Sequence, residues 1–137
     1  MGGAAAGRHT AVMQVFLVED SPLIRARLVE MLQSVPGASV CGHAASAEHA
    51  IREILAARPD VVVLDLSLAQ GTGFDVLRAV HPQAPQIEFY MLSNFAAGPY
   101  RQLADRLGAR GFFDKSSEFH RVRDAIMNPR EKNPCRP

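Results

Sequence analysis

The sequence predicts an α/β domain: a five-stranded parallel sheet with five helices distributed over its two faces. Three observations lead there. Short apolar runs at residues 12–18, 61–64 and 87–92 are rich in β-branched or aromatic residues and lack strict alternation, as strands buried on both faces do. Segments with helical spacing and recognisable caps lie between them. The connections are short, so strand and helix alternate along the chain, which implies parallel strands joined by crossover helices.

The elements follow in order. The first strand, residues 12–18, leads to Ser21-Pro22, a hydroxyl cap followed by proline at the first helical position. Leu23, Ile24, Arg27, Leu28, Met31 and Leu32 recur at helical spacing until Pro36-Gly37 stops the run. Residues 39–44 fit a second strand nearer the edge. Ser46 caps a second helix that runs to Arg58 and ends before Pro59-Asp60. The third strand, residues 61–64, runs straight into Asp65. Gly71-Thr72-Gly73 reads as a turn in which Thr72 caps a third helix over residues 74–80; without Lys-Ser/Thr it is no phosphate loop. His81-Pro82 closes that helix. A fourth strand at residues 87–92, a fourth helix at 99–107 stopped by Gly108, a fifth strand at 111–113 and a fifth helix at 117–127 complete the domain, which spans residues 12–127. Residues 1–11 are expected to be a disordered leader and residues 128–137, with three prolines and several charges, a disordered tail.

Bulk properties exclude several functions. A chain of 137 residues fits one domain that needs no disulfide or structural metal. The net charge of +1 gives no footprint for direct nucleic-acid binding and no polybasic membrane patch. No segment approaches the ~20 apolar residues of a membrane span, so membrane insertion is not expected. The leader has no apolar h-region, and Ala6 stands where a myristoylation signal needs Ser or Thr. Cys41 and Cys135 lie in unlike contexts and read as free thiols in a reducing cytosol, which gives a cytoplasmic location. His9, His43, His49, His81 and His120 show no ligand spacing.

In a doubly wound sheet the ligand site lies beyond the carboxyl ends of the strands, near the topological switch point. The first strand ends in Glu19-Asp20, the third in Asp65, the fourth at Ser93 and the fifth at Lys115. The expected fold would bring these five side chains to one face of the sheet. Three clustered carboxylates repel one another unless a cation neutralises them, and all-oxygen ligation suits Mg²⁺, with Mn²⁺ possible. Asp20 and Asp65 are assigned to direct ligation, Glu19 to ligation through water, and the carbonyl of Ser67 to the remaining protein ligand. Glu19-Asp20 taken alone reads more readily as a turn with helix capping.

These residues resemble the receiver domains of bacterial response regulators in two-component systems. The motifs are Val18-Glu19-Asp20-Ser21, Val63-Leu64-Asp65-Leu66, Met91-Leu92-Ser93 and Gly111-Phe112-Phe113-Asp114-Lys115. Their spacings also match: 45 residues from Asp20 to Asp65, 28 to Ser93 and 22 to Lys115. The resemblance implies a flavodoxin-like (βα)5 fold with strand order 2-1-3-4-5. It implies that Asp65 accepts a phosphoryl group, with Mg²⁺ assistance, from a histidine kinase or a histidine phosphotransfer protein. Lys115 would pair with Asp65 and then with a phosphoryl oxygen, and Ser93 would donate its hydroxyl to another. Ser93 and Phe112 would form the switch that carries the signal to the surface of the fourth helix, fifth strand and fifth helix. The chain would be a stand-alone signalling phosphoprotein rather than an enzyme, catalysing only its own phosphorylation and dephosphorylation. About ten residues after the fifth helix are too few for a helix-turn-helix, so output would pass to a downstream effector protein by contact.

Several residues depart from the family pattern. Ser116 follows Lys115 where many members carry proline, which leaves the geometry of that peptide bond open. Asn94 stands where a small residue is usual and could crowd the site. Ser67 and Phe95 flank the route of attacking water, and an apolar ring at Phe95 predicts a long-lived phosphoryl state. Two other readings are carried forward: a Mg²⁺-dependent phosphatase with an aspartyl nucleophile, which would need an acid where Ser67 stands, and a receiver-like interaction module that is never phosphorylated.

Overall fold

The computed structural model describes residues 12–94 and 97–127. The expected leader and tail, Cys135 and Phe95 lie outside the described residues. The order is β1 (Met13–Val18), α1 (Pro22–Leu32), β2 (Ala38–Ala44), α2 (Ala47–Ala57), β3 (Val61–Asp65), α3 (Gly73–Val80), β4 (Glu88–Ser93), α4 (Gly98–Arg106), β5 (Gly111–Asp114) and α5 (Arg121–Met127). The strands form one parallel sheet in the order β2-β1-β3-β4-β5. The chain leaves β1 for one neighbour, β2, and returns to β3 on the other side. That reversal puts the switch point at the carboxyl ends of β1 and β3, beside Glu19-Asp20 and Asp65.

The unbroken apolar runs have the cause the sequence suggests. Every residue of β3 is buried, and so are the last four of β1 and the last five of β4. One core lies between the sheet and α2, α3 and α4, with Phe16, Val62, Leu64, Phe89 and Met91 from the strands. The other lies under α1 and α5, with Val15, Leu17, Val63, Tyr90 and Leu92. Alternate residues of one strand thus feed opposite cores. The helix starts are also legible locally. Ser21 Oγ accepts from the Ile24 amide at 3.2 Å ahead of Pro22. Thr72 and Asp75 exchange side-chain and backbone bonds in a capping box.

One feature differs from the sequence reading, and two settle points it did not reach. The fifth helix starts at Arg121 rather than at Ser117. The Asp114 carboxylate accepts from the amides of Ser116 and Ser117, and Glu118 reaches back to the Asp114 amide, so this stretch closes into a turn first. The β1–β2 register slips between Val15 and Phe16, which leaves Cys41 as an extra, exposed residue between Val40 and Gly42. No peptide bond among the described residues is cis, so Lys115–Ser116 is trans.

Candidate functional site

The site is assembled by backbone contacts before any side chain acts. The Glu19 amide donates to the Ala44 carbonyl at 3.0 Å, and the Glu19 carbonyl accepts from Arg25 Nη1 at 3.0 Å, which pins the turn after β1. Asp65 closes β3. Gly73, at the start of α3, lies so near that an added Cβ would stand 2.6 Å from the Asp65 carbonyl oxygen. The lack of a side chain there lets α3 approach the strand end. The Lys115 amide donates to the Ser93 carbonyl at 2.9 Å, which ties the turn after β5 to the end of β4.

On this frame Lys115 reaches across the sheet. Its Nζ lies 3.0 Å from Asp65 Oδ2 and 3.1 Å from Glu19 Oε1. Glu19 Oε2 also accepts from the Ser21 amide at 3.0 Å, and Asp65 Oδ1 from the Ser67 amide at 3.4 Å. Glu19 and Asp65 are buried, whereas Asp20 is exposed at the rim. One carboxylate oxygen from each of Glu19, Asp20 and Asp65 lies within 4.8 Å of the others. A cleft of about 460 Å³ opens over them, lined also by Ser21, Ile24, Ser67, Asn94, Lys115 and Ser116.

The electrostatics follow from this crowding. Burial pushes the Glu19 carboxyl up, and the charge of Asp65 pushes it further, against the Ser21 amide and Lys115. Burial likewise raises Asp65, and the bond from Lys115 only partly offsets it. For Lys115, burial pulls the ammonium down, but the Asp65 and Glu19 carboxylates together hold it above its ordinary value. Both acids are therefore reluctant to carry charge, which is the condition a bound cation relieves. The donor set fits a hard divalent ion: carboxylate oxygens only, open to solvent on one side, where water can complete the coordination.

Most of the predicted site residues come together. Glu19, Asp20, Asp65, Ser67 and Lys115 line the same cleft. Ser93 is fully buried behind it, and Asn94, the bulkier residue after it, is exposed on the wall. The cleft stays open beside Asn94. Glu19, assigned from the sequence to an outer role, makes a direct ion pair with Lys115. Phe112 lies away from the cleft, partly buried against the core under α2, α3 and α4. Sequence reasoning missed Arg25 and a second arginine, Arg101, whose Nη1 donates to the Phe112 carbonyl at 2.8 Å. Neither carries a local signal, because each acts through a carbonyl that only the fold brings near.

Comparison with known proteins agrees with this geometry. The model of the response regulator receiver domain matches residues 15–127. The chain is 34% identical over 117 residues to the DNA-binding transcriptional activator DevR/DosR of Mycobacterium tuberculosis, covering 85% of this chain and 54% of that protein. It therefore spans about half the length of that curated relative. Among solved structures it is similar to the signal receiver domain of the response regulator NarL from Mycobacterium tuberculosis, with a TM-score of 0.80, 26% identity and coverage of 88% and 97%. It is also similar to the response regulator domain of Thermotoga maritima CheB, with a TM-score of 0.75, 26% identity and coverage of 86% and 92%. Among the described residues no helix is long and apolar enough to cross a membrane. With this fold, and with the family model covering residues 15–127, the chain belongs to the response regulator receiver domain family of two-component systems.

Proposed function

We propose that Asp65 accepts a phosphoryl group from a histidine kinase or a histidine phosphotransfer protein, with a divalent cation, Mg²⁺ or Mn²⁺, held by Glu19, Asp20, Asp65 and the Ser67 carbonyl. The observation that carries this reading is the contact of Lys115 Nζ with both Asp65 and Glu19, at 3.0 and 3.1 Å, beneath an open cleft. A buried carboxylate with an ammonium on one oxygen and two further acids within 4.8 Å is costly as structure alone. It is economical as a nucleophile poised to receive an anion.

An Asp65 oxygen forms a bond to phosphorus while the bond from phosphorus to the donor's imidazole nitrogen breaks, and the bonding pair stays on that nitrogen. Lys115 transfers its pairing to a phosphoryl oxygen as Asp65 loses its charge. The Ser93 hydroxyl donates to a second phosphoryl oxygen when the end of β4 moves forward. The cation, when bound, neutralises charge on the phosphoryl oxygens, which is most of what such a transfer requires. The phosphorylated form then favours an inward position of Phe112 and alters the surface of α4, β5 and α5, where a downstream effector protein binds. The chain is in this reading a signalling phosphoacceptor and not a catalyst of turnover, acting in the cytoplasm.

Intact-mass spectrometry after exposure to a small acyl phosphate and Mg²⁺ tests the proposal. One added phosphoryl group is expected in the wild type and none in Asp65→Asn. Equal labelling of both proteins, or continuous turnover of unrelated phosphoesters, defeats it.

A further inference from the structure

Arg101 lies in α4 and joins three parts of the fold. Its Nη1 donates to the Phe112 carbonyl at 2.8 Å, and its guanidinium carbon stands 5.1 Å from the centre of the Phe112 ring. Its Nη2 pairs with Glu118 at 3.3 Å. Glu118 accepts in turn from the Asp114 amide at 2.9 Å, one residue before Lys115, and pairs with Arg121 at 3.1 Å. One side chain thus ties α4 to the backbone and ring of Phe112 and to the turn that carries the site lysine. A cleft of about 190 Å³, lined in part by Arg101, Ala104, Ala109 and Gly111, adjoins Phe112.

We propose that Arg101 is a positioning residue that latches Phe112 in its half-buried orientation and so sets how readily the site passes to the phosphorylated form. A cation over an aromatic face stabilises the ring where it stacks. The charge-assisted bond to the Phe112 carbonyl and the ion pair to Glu118 hold the guanidinium there. Inward rotation takes the ring off the cation, so the contact opposes that rotation. If phosphorylation favours the inward ring, whatever stabilises the resting ring lowers the fraction of molecules ready to react. The first half of the inference concerns the ring alone; the second rests on the phosphoacceptor reading.

The full chain labelled with 4-fluorophenylalanine separates the two halves. The Phe112 resonance is assigned by its loss in Phe112→Leu and followed in wild type, Arg101→Met and Arg101→Lys. Arg101→Met is expected to move the Phe112 resonance and leave the other phenylalanines in place. Arg101→Lys keeps a cation near the ring without the fork and is expected to fall between; it also serves if Arg101→Met does not fold. Labelling by a small acyl phosphate with Mg²⁺ is expected to run about two- to fivefold faster in Arg101→Met, the worth of a partly exposed cation–ring contact. An unmoved Phe112 resonance in folded Arg101→Met overturns the latch. A moved resonance with an unchanged labelling rate overturns its role at the site. A wild type that takes no phosphoryl group sinks the phosphoacceptor reading, while the resonance still decides the latch.

Discussion

Replacing Lys115 by methionine isolates the charge balance of the site. The ammonium is the cation within hydrogen-bonding distance of both Glu19 and Asp65, whose side chains are 2% and 6% exposed. Methionine keeps most of the stem, so the loss is chiefly of charge. Removing one partner of a buried ion pair typically costs about 3–5 kcal/mol, because the other charge is left uncompensated. Here two carboxylates are left, and part of the penalty is escaped by proton uptake. Glu19 is already raised by burial and by the charge of Asp65, Asp65 by burial and by the charge of Asp20, and Lys115 is a cause that lowers both. Without it their folded values rise further above the unfolded values near about 4. A carboxylate raised in the folded state gives stability that is full below its unfolded value and is lost as pH rises through the folded one. Urea unfolding of Lys115→Met in a chelator should therefore show a loss of about 3 kcal/mol near pH 7.5 that shrinks toward pH 5. Mg²⁺ at a hundred times its dissociation constant should return about 2.7 kcal/mol. A loss below about 0.5 kcal/mol, the level of ordinary surface substitutions, or a loss equal at both pH values, would refute the view that the lysine neutralises a strained acidic cluster.

In the wild type, Mg²⁺ at ten times its dissociation constant should stabilise by about 1.4 kcal/mol and raise Tm by roughly 5 °C; Asp20→Asn should remove most of that dependence in a thermal scan. Gly73→Ala should cost about 1–3 kcal/mol by urea unfolding, since its Cβ would meet the Asp65 carbonyl at 2.6 Å and the Met91 methyl at 2.7 Å; a neutral result would mean that α3 can retreat from the strand end. Burial, and then the neighbouring Glu88, push the Tyr90 hydroxyl above its ordinary range. The stability it confers is complete below about pH 10, where the unfolded tyrosine ionises, and is lost as pH climbs beyond. Tyr90→Phe should lose about 1 kcal/mol at pH 7 yet unfold at a higher pH on alkaline titration monitored by circular dichroism.

What the sequence discloses and what it conceals divide along a physical line. Features fixed by neighbours in the chain are legible. The apolar run of β3 ends in Asp65 because a strand buried on both faces becomes polar only where it leaves the core. Ser21-Pro22 and Thr72 announce helix starts because a cap acts within three residues. Features fixed by contacts between distant segments are not. Ser117 reads as the start of a helix, but the Asp114 carboxylate takes the Ser116 and Ser117 amides while Glu118 takes the Asp114 amide, and the turn so formed delays α5 to Arg121. The slip in β2 at Cys41 has no local sign, because Gly42 is seated against the Phe16 ring of the neighbouring strand, 3.0 Å from where a Cβ would stand. The site residues were legible as strand ends. The pairing of Glu19 with Lys115, 96 residues apart in the chain, had to await the fold.

Under the proposed reading, the same contact gives a reason for a divalent ion rather than a single charge. Glu19, Asp20 and Asp65 carry three negative charges when ionised, and Lys115 returns one, so two remain unmatched over the cleft. A monovalent ion leaves an excess negative charge facing an incoming phosphoryl anion, whereas a divalent ion balances the count before the anion arrives. The lysine alone cannot do this, since its ammonium lies on Asp65 Oδ2 and Glu19 Oε1, away from the exposed Asp20 at the rim. The two cations therefore divide the work by position. Lys115 pairs with the buried side of the cluster, and the open side, with Asp20, would be left for the proposed ion and donor phosphate.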